Sequence, residues 1–172
     1  MKVEIIFEVI LFIVLALIQV LFLNQINLFG YATPLLYIYF LIKIPVNTNS
    51  NWVILSSFLL GLVIDIFLNT PGMNAAALTI TAVVRNLIVN KTFSKEEYEV
   101  YIPSIYRETV KFLRYAIILI LVHHTTLYLI DSFSLFNFTE TLIRIGSSFL
   151  FTFILIISID SLLLNKSKSG TL

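Results

Sequence analysis

Glu8, Asp65, Arg85, Arg114, Arg144 and Asp160 are charged residues set within or at the edge of long apolar stretches of this chain. His123 and His124 sit side by side near the middle of another such stretch, followed by Thr125 and Thr126. Adjacent helical positions differ by about 100° around the axis, so the two imidazoles point apart. A helical metal pair wants its second His at i+4, and that residue is missing here. Each imidazole is therefore expected to hydrogen-bond within the protein, with a metal or proton-relay role as the weaker alternative. The chain has no Cys, which excludes disulfides, thiolate metal sites and Cys nucleophiles. It also lacks a Gly-rich phosphate loop, a His-Glu-x-x-His and a Gly-x-Ser-x-Gly. No catalytic residue, metal ligand or cofactor is expected, and the charges call for a structural or partner-binding explanation.

The elements that must position these charges are dictated by composition. Hydrophobic residues make up 59% of the 172 and charged residues only 12%, whereas soluble domains are about 45–50% apolar and about 25% charged. Mean hydropathy is +0.98. One core of this size cannot hide that much apolar surface, so the chain reads as an all-α integral membrane protein. Lipid leaves backbone polar groups no partner outside the segment, which favours helices. No basic patch interleaves with aromatics, so nucleic acid is excluded as a partner. The net charge of +1 says nothing more about partners. Lys2 precedes an apolar run too long for a signal peptide and followed by no small-x-small cleavage site, so the run reads as a retained first span.

Six apolar segments emerge, at 5–24, 33–46, 52–69, 73–90, 112–130 and 142–164. The second is short and opens with Pro34, so by itself it could be re-entrant. Charge decides. With six crossings and both termini cytoplasmic, Lys2, Lys43, Lys91, Lys95, Arg107, Lys111, Arg114, Lys166 and Lys168 all fall on the inner side. The outer connections at 25–32, 69–73 and 131–141 carry no Lys or Arg, as the positive-inside rule requires. If the second segment did not cross, the basic 91–114 connection would lie outside. One transmembrane domain over 1–165 follows, with a cytoplasmic elbow at 91–111 and a polar tail at 166–172. Ser94-Lys-Glu-Glu97 in the elbow has the spacing of a capping box, and Tyr98, Tyr101 and Tyr106 suit headgroup depth. The elbow reads as interfacial, or as a docking surface for a cytoplasmic protein.

Charges within spans need partners. Asp65 and Arg144 lie at similar depths below the outer ends of their helices. Two readings of Arg144 stand: a pair with Asp65 tying the third segment to the sixth, or a side chain reaching to the outer headgroups. Glu8, Arg85, Arg114 and Asp160 all fall within about two turns of the inner interface and form a candidate inner-side charge cluster. Gly146-Ser147-Ser148 is a small-residue patch suited to another helix or to lipid. The best site candidate is 61–76. Gly61 lets a neighbouring backbone approach, Asp65 sits one turn further out on the same face, Pro71-Gly72 makes a tight turn, and Asn74 precedes an alanine run. Together they form a polar notch near the outer surface, in which Asp65 either holds the fold or meets a partner helix.

This stretch also carries a family likeness. Gly61-x-x-x-Asp65, Pro71-Gly72, the helix opening Asn74-Ala75-Ala76-Ala77-Leu78 and Arg85 near its inner end resemble the rod-shape-determining MreD family of the bacterial inner membrane. Asn24-x-x-Asn27-Leu-Phe-Gly followed by Pro34 is similar as well. The layout agrees over most of the chain, and the specific part is 61–86. The resemblance implies a fold similar to the substrate-binding subunits of energy-coupling-factor transporters. It also implies a non-enzymatic scaffold of the cell-elongation complex, supporting lateral peptidoglycan synthesis. The implied partners are an MreC-like bitopic protein, the elongation glycosyltransferase and transpeptidase, an MreB-like actin filament protein and membrane lipid. The rival expectation is a vitamin-type uptake subunit, for which Asp65, Asn69, Asn74 and Arg144 would be the outer polar groups.

Overall fold

A computed structural model describes residues 2–26, 32–93, 102–132 and 137–168. Near-continuous apolar sequence leaves the backbone to satisfy itself, and the result is helical throughout its long segments. The helices are α1 (Lys2–Leu21, followed by a 3-10 turn at Leu23–Gln25), α2 (Ile38–Lys43), α3 (Ser50–Leu68), α4 (Met73–Thr92), α5 (Thr109–Asp131) and α6 (Phe138–Lys168). All but α2 are long and apolar enough to cross a membrane. Ser94 to Tyr101, which include the proposed capping box, lie outside the described residues, as do 27–31 and the last residues of the tail. Helix α6 starts earlier and ends later than the expected 142–164.

Local chemistry sets the ends. Asn49 caps α3, its side chain accepting the amide of Asn51 at 2.9 Å. Asn69 ends α3 in the left-handed region with φ 54°, and its amide returns to the Asp65 carbonyl. Gly72, with φ 77°, turns the chain into α4. Sequential helices α3, α4, α5 and α6 pack as neighbours, and α1 packs on α3.

The second segment differs from expectation. Instead of a helix over 33–46, only six residues are helical, with non-helical flanks. Pro34 and Pro45 explain this, because the residue before proline is pushed out of the α region. Ile44 accordingly sits at ψ 133°. The segment is the core of the molecule: Tyr37, Ile38, Tyr39, Phe40, Leu41 and Ile42 are at most 1% exposed, with the long helices around them. Two rulers give its extent. Thr33 N bonds Ser148 Oγ and Lys43 Nζ bonds Asp160, positions about 18 Å apart along α6. Tyr37 bonds Asn74 while Ile44 bonds Arg85, positions about 17 Å apart along α4. The segment thus runs the middle of the bundle, parallel to α4 and α6, from the end carrying the Asn69–Gly72 turn (the upper end) to the end carrying Lys43 (the lower end).

Candidate functional site

A short buried helix poses a backbone problem. The first amides and last carbonyls of α2 and its flanks have no helical partner and no access to water. Side chains from the surrounding helices supply what is missing. At the upper end, Thr152 Oγ1 accepts the Leu35 amide at 3.0 Å and Gln19 Oε1 accepts the Leu36 amide at 2.7 Å. Gln19 Nε2 donates to the Pro34 carbonyl at 3.0 Å and to Asn24 Oδ1 at 2.8 Å. At the lower end, Arg85 is 1% exposed. Its Nε donates to the Leu41 carbonyl at 3.0 Å, and one terminal nitrogen donates to the Ile44 and Pro45 carbonyls at 2.7 and 3.1 Å. Tyr115 Oη accepts from the same Nε at 2.9 Å. A guanidinium at a helix C-terminus also meets the negative end of the macrodipole.

Asp65 performs the complementary task at the upper end. It is 3% exposed. Its Oδ1 accepts the Asn74 amide at 3.0 Å, Asn74 Nδ2 at 2.8 Å and Thr70 Oγ1 at 2.5 Å, and its Oδ2 accepts the Ala75 amide at 2.8 Å. Helix α4 begins after Gly72, which has no side chain to cap with. A carboxylate from α3 therefore takes the second and third amides of α4 and meets the positive end of its dipole. Gly61, one turn below Asp65, makes the approach feasible. A methyl group built on it would lie 2.7 Å from Asn74 C and overlap the Ala75 backbone.

The network continues inward. Asn74 directs its amide nitrogen to Asp65, so its Oδ1 accepts the Tyr37 hydroxyl at 2.7 Å. That hydroxyl has spent its proton, so His123 Nε2, 2.8 Å away, must be the donor. His123 is thus the Nε2–H tautomer. His124 holds the opposite tautomer. Its Nδ1 faces the Ile120 carbonyl at 2.8 Å and must donate, leaving Nε2 to accept from Thr152 Oγ1 at 3.1 Å. A hydrogen-bonded chain therefore links Asp65 near the surface to His123 in the centre of the bundle.

Several expected pairings are corrected. Asp65 and Arg144 do not pair; Arg144 binds Asp131 at 3.1 Å and lies over the Tyr128 ring. The expected inner-side cluster does not gather. Glu8 accepts from Trp52 Nε1 at 2.9 Å, Arg85 caps α2, and Arg114 is exposed on α5. Asp160, fully buried, binds Lys43 at 2.8 Å, the Tyr39 hydroxyl at 2.8 Å and the Ile105 amide at 2.8 Å. Lys43, read from sequence as an inner-interface charge, is itself buried and also donates to the Pro103 carbonyl. The small-residue patch splits: Gly146 faces open space, while Ser148 is buried and bonds Tyr128 Oη. Sequence reasoning missed Gln19, Tyr37, Lys43 and Thr152. Gln19 and Lys43 had a signal, as lone polar residues in apolar runs.

Recesses open at the upper end, two of them beside Asp65 and Asn74. One of about 260 Å³ has Asp65, Asn69, Thr70, Pro71 and Gly72 in its wall. The other, about 190 Å³, lies between helices and is lined by Asn24, Thr33, Thr70, Asn74, Tyr128 and Arg144 among others. Among the described residues no group of three or more His, Asp or Glu side chains is placed to hold a metal ion. Compared with models of known families, with curated proteins and with solved structures, the chain matches none.

Proposed function

We propose that this chain is a non-enzymatic, multi-pass scaffold of the bacterial inner membrane, working in the cell-elongation complex in the manner of MreD. In this reading the five long helices and the α2 segment make six crossings, with both termini cytoplasmic. One observation carries it. The stretch 61–86, on which the family resemblance rests, is also the stretch that organises the bundle: Gly61 admits α4, Asp65 caps it, and Arg85 caps α2. A motif built from common membrane residues gains weight when each member has a defined structural task.

The polar residues of the notch are turned inward on the fold, and partner contact falls to the helices. Only 22% of the apolar windows of α1 and α6 is buried, against 39% for α3 and 44% for α4 and α5. These peripheral helices offer faces such as Ile6, Ile10, Ile13 and Leu17 to a bitopic MreC-like protein. The elongation glycosyltransferase, the transpeptidase and an MreB-like filament would join through that assembly.

The alternative, a vitamin-type uptake subunit, draws on the upper recesses of about 260 and 190 Å³. Small-molecule sites typically enclose about 300–1,000 Å³, so each recess is undersized and this reading stands second. A crosslinked pull-down of the tagged chain from native membranes, read by mass spectrometry, separates the two. An MreC-like protein with wall synthases supports the scaffold. An ATPase pair with a membrane coupling subunit overturns it in favour of uptake.

A further inference from the structure

We infer that the lower end of the α1–α3 groove is a binding site for an inner-leaflet glycerophospholipid with a primary ammonium headgroup. Two adjoining cavities define it. The lower one, about 400 Å³, is lined by Ile5, Glu8, Pro45, Asn47, Thr48, Asn49 and Trp52. The upper one, about 210 Å³, is lined by Val9, Phe12, Phe40, Ser56 and Leu59, and shares Glu8 and Trp52 with the first. Ser56 spends its hydroxyl on the Val53 carbonyl, so the upper wall is effectively apolar. A polar chamber at the lower end thus opens into an apolar slot running toward mid-bundle, which is the shape of a headgroup and the start of an acyl chain.

Charge selects the headgroup. Glu8 is 6% exposed, and its Oε2 accepts the Trp52 indole N–H at 2.9 Å. Its carboxylate lines both cavities. Among the described residues no Lys or Arg lines either cavity. A carboxylate on the wall of a largely apolar cavity is matched by a cation or donor, and a primary ammonium supplies both. A headgroup with net negative charge would meet that carboxylate with no basic residue among the described lining to offset it. Asn47 and Thr48 add neutral donors for phosphate and glycerol oxygens. The inner-leaflet placement rests on the proposed topology with both termini cytoplasmic, while the site itself is separate from the upper notch and from the elongation-complex partners.

Trp52 is the sole tryptophan of the chain, so it reports on its own site. The full chain is reconstituted in vesicles of phosphatidylcholine in which a fixed fraction is replaced by brominated-acyl phosphatidylethanolamine, phosphatidylglycerol or phosphatidylcholine, and Trp52 quenching is compared. The ethanolamine lipid should quench with an apparent affinity about fivefold above the other two, the scale of one partly screened ion pair. Glu8→Gln keeps an acceptor for the indole and should erase that preference while leaving general quenching. Val9→Phe, at an exposed position of the slot, should lower quenching by the ethanolamine lipid without unfolding the bundle. Equal quenching by all three lipids, or an undiminished preference in Glu8→Gln, overturns the proposal. So does a photocrosslinker at Val9 that captures a protein helix instead of lipid in native membranes.

Discussion

Asp65 of α3 accepts the backbone amide of Ala75 at 2.8 Å, so one helix is capped by a residue of the helix before it. The same carboxylate takes the Asn74 amide, Asn74 Nδ2 and Thr70 Oγ1. Desolvation of a carboxylate is offset here by four bonds and a helix dipole, without a cationic partner among the described residues.

Removing that cap should destabilise the hairpin. Asp65→Ala leaves two buried amides unpaired and should lower stability by on the order of 3 kcal/mol. Thermal unfolding in detergent checks this. A double-mutant cycle with Arg144→Ala should give additive effects, since the two side chains have separate partners. A coupling well above about 0.5 kcal/mol would contradict the geometry.

The two helical glycines should behave oppositely. Gly61→Ala drives a methyl into the Asn74–Ala75 backbone and should cost about 1–3 kcal/mol or more. Gly146→Ala meets open space and should leave the melting temperature unchanged or slightly raised.

Arg85 should resist conservative replacement. Its fork reaches three carbonyls at the end of α2, a geometry an ammonium cannot reproduce. Arg85→Lys should therefore reduce the yield of folded protein in detergent nearly as far as Arg85→Met. Full rescue by Lys would show that charge alone matters there.

Lys43 and Asp160 should show strong coupling. Lys43→Met leaves a fully buried carboxylate without its cation and should cost about 3–5 kcal/mol. Lys43→Met with Asp160→Asn should recover part of that loss, because a neutral amide can accept the Ile105 amide through its oxygen and donate its NH2 to the Tyr39 hydroxyl oxygen. Unfolding of the single and double variants gives the coupling directly.

Six crossings can be tested by cysteine labelling, because the chain has no native Cys to remove. Pro71→Cys and Asn137→Cys should react with an impermeant maleimide on intact spheroplasts. Asn47→Cys and Lys91→Cys should react only after the membrane is opened. Labelling of Asn47→Cys from outside would mean that α2 does not cross.

Much of the architecture could be read from the chain itself. Runs of apolar residues dictate helices because the backbone has no other donors or acceptors, and the five long helices follow from length and composition. The Pro71-Gly72 turn and the Gly61-Asp65 face were visible because they rest on local chemistry and helical period. Which polar residues pair was not visible. Arg144 and Asp65 share a depth, but depth says nothing of rotation about the helix axes, and Arg144 found Asp131 on the neighbouring α5. Arg85 was matched by sequence to carboxylates, whereas its real partners are the carbonyls of a helix cut short between Pro34 and Pro45. Backbone acceptors are the same at every residue and leave no mark in a sequence. Only tertiary structure decides which of them lose their helical partner and must be met by a side chain from elsewhere.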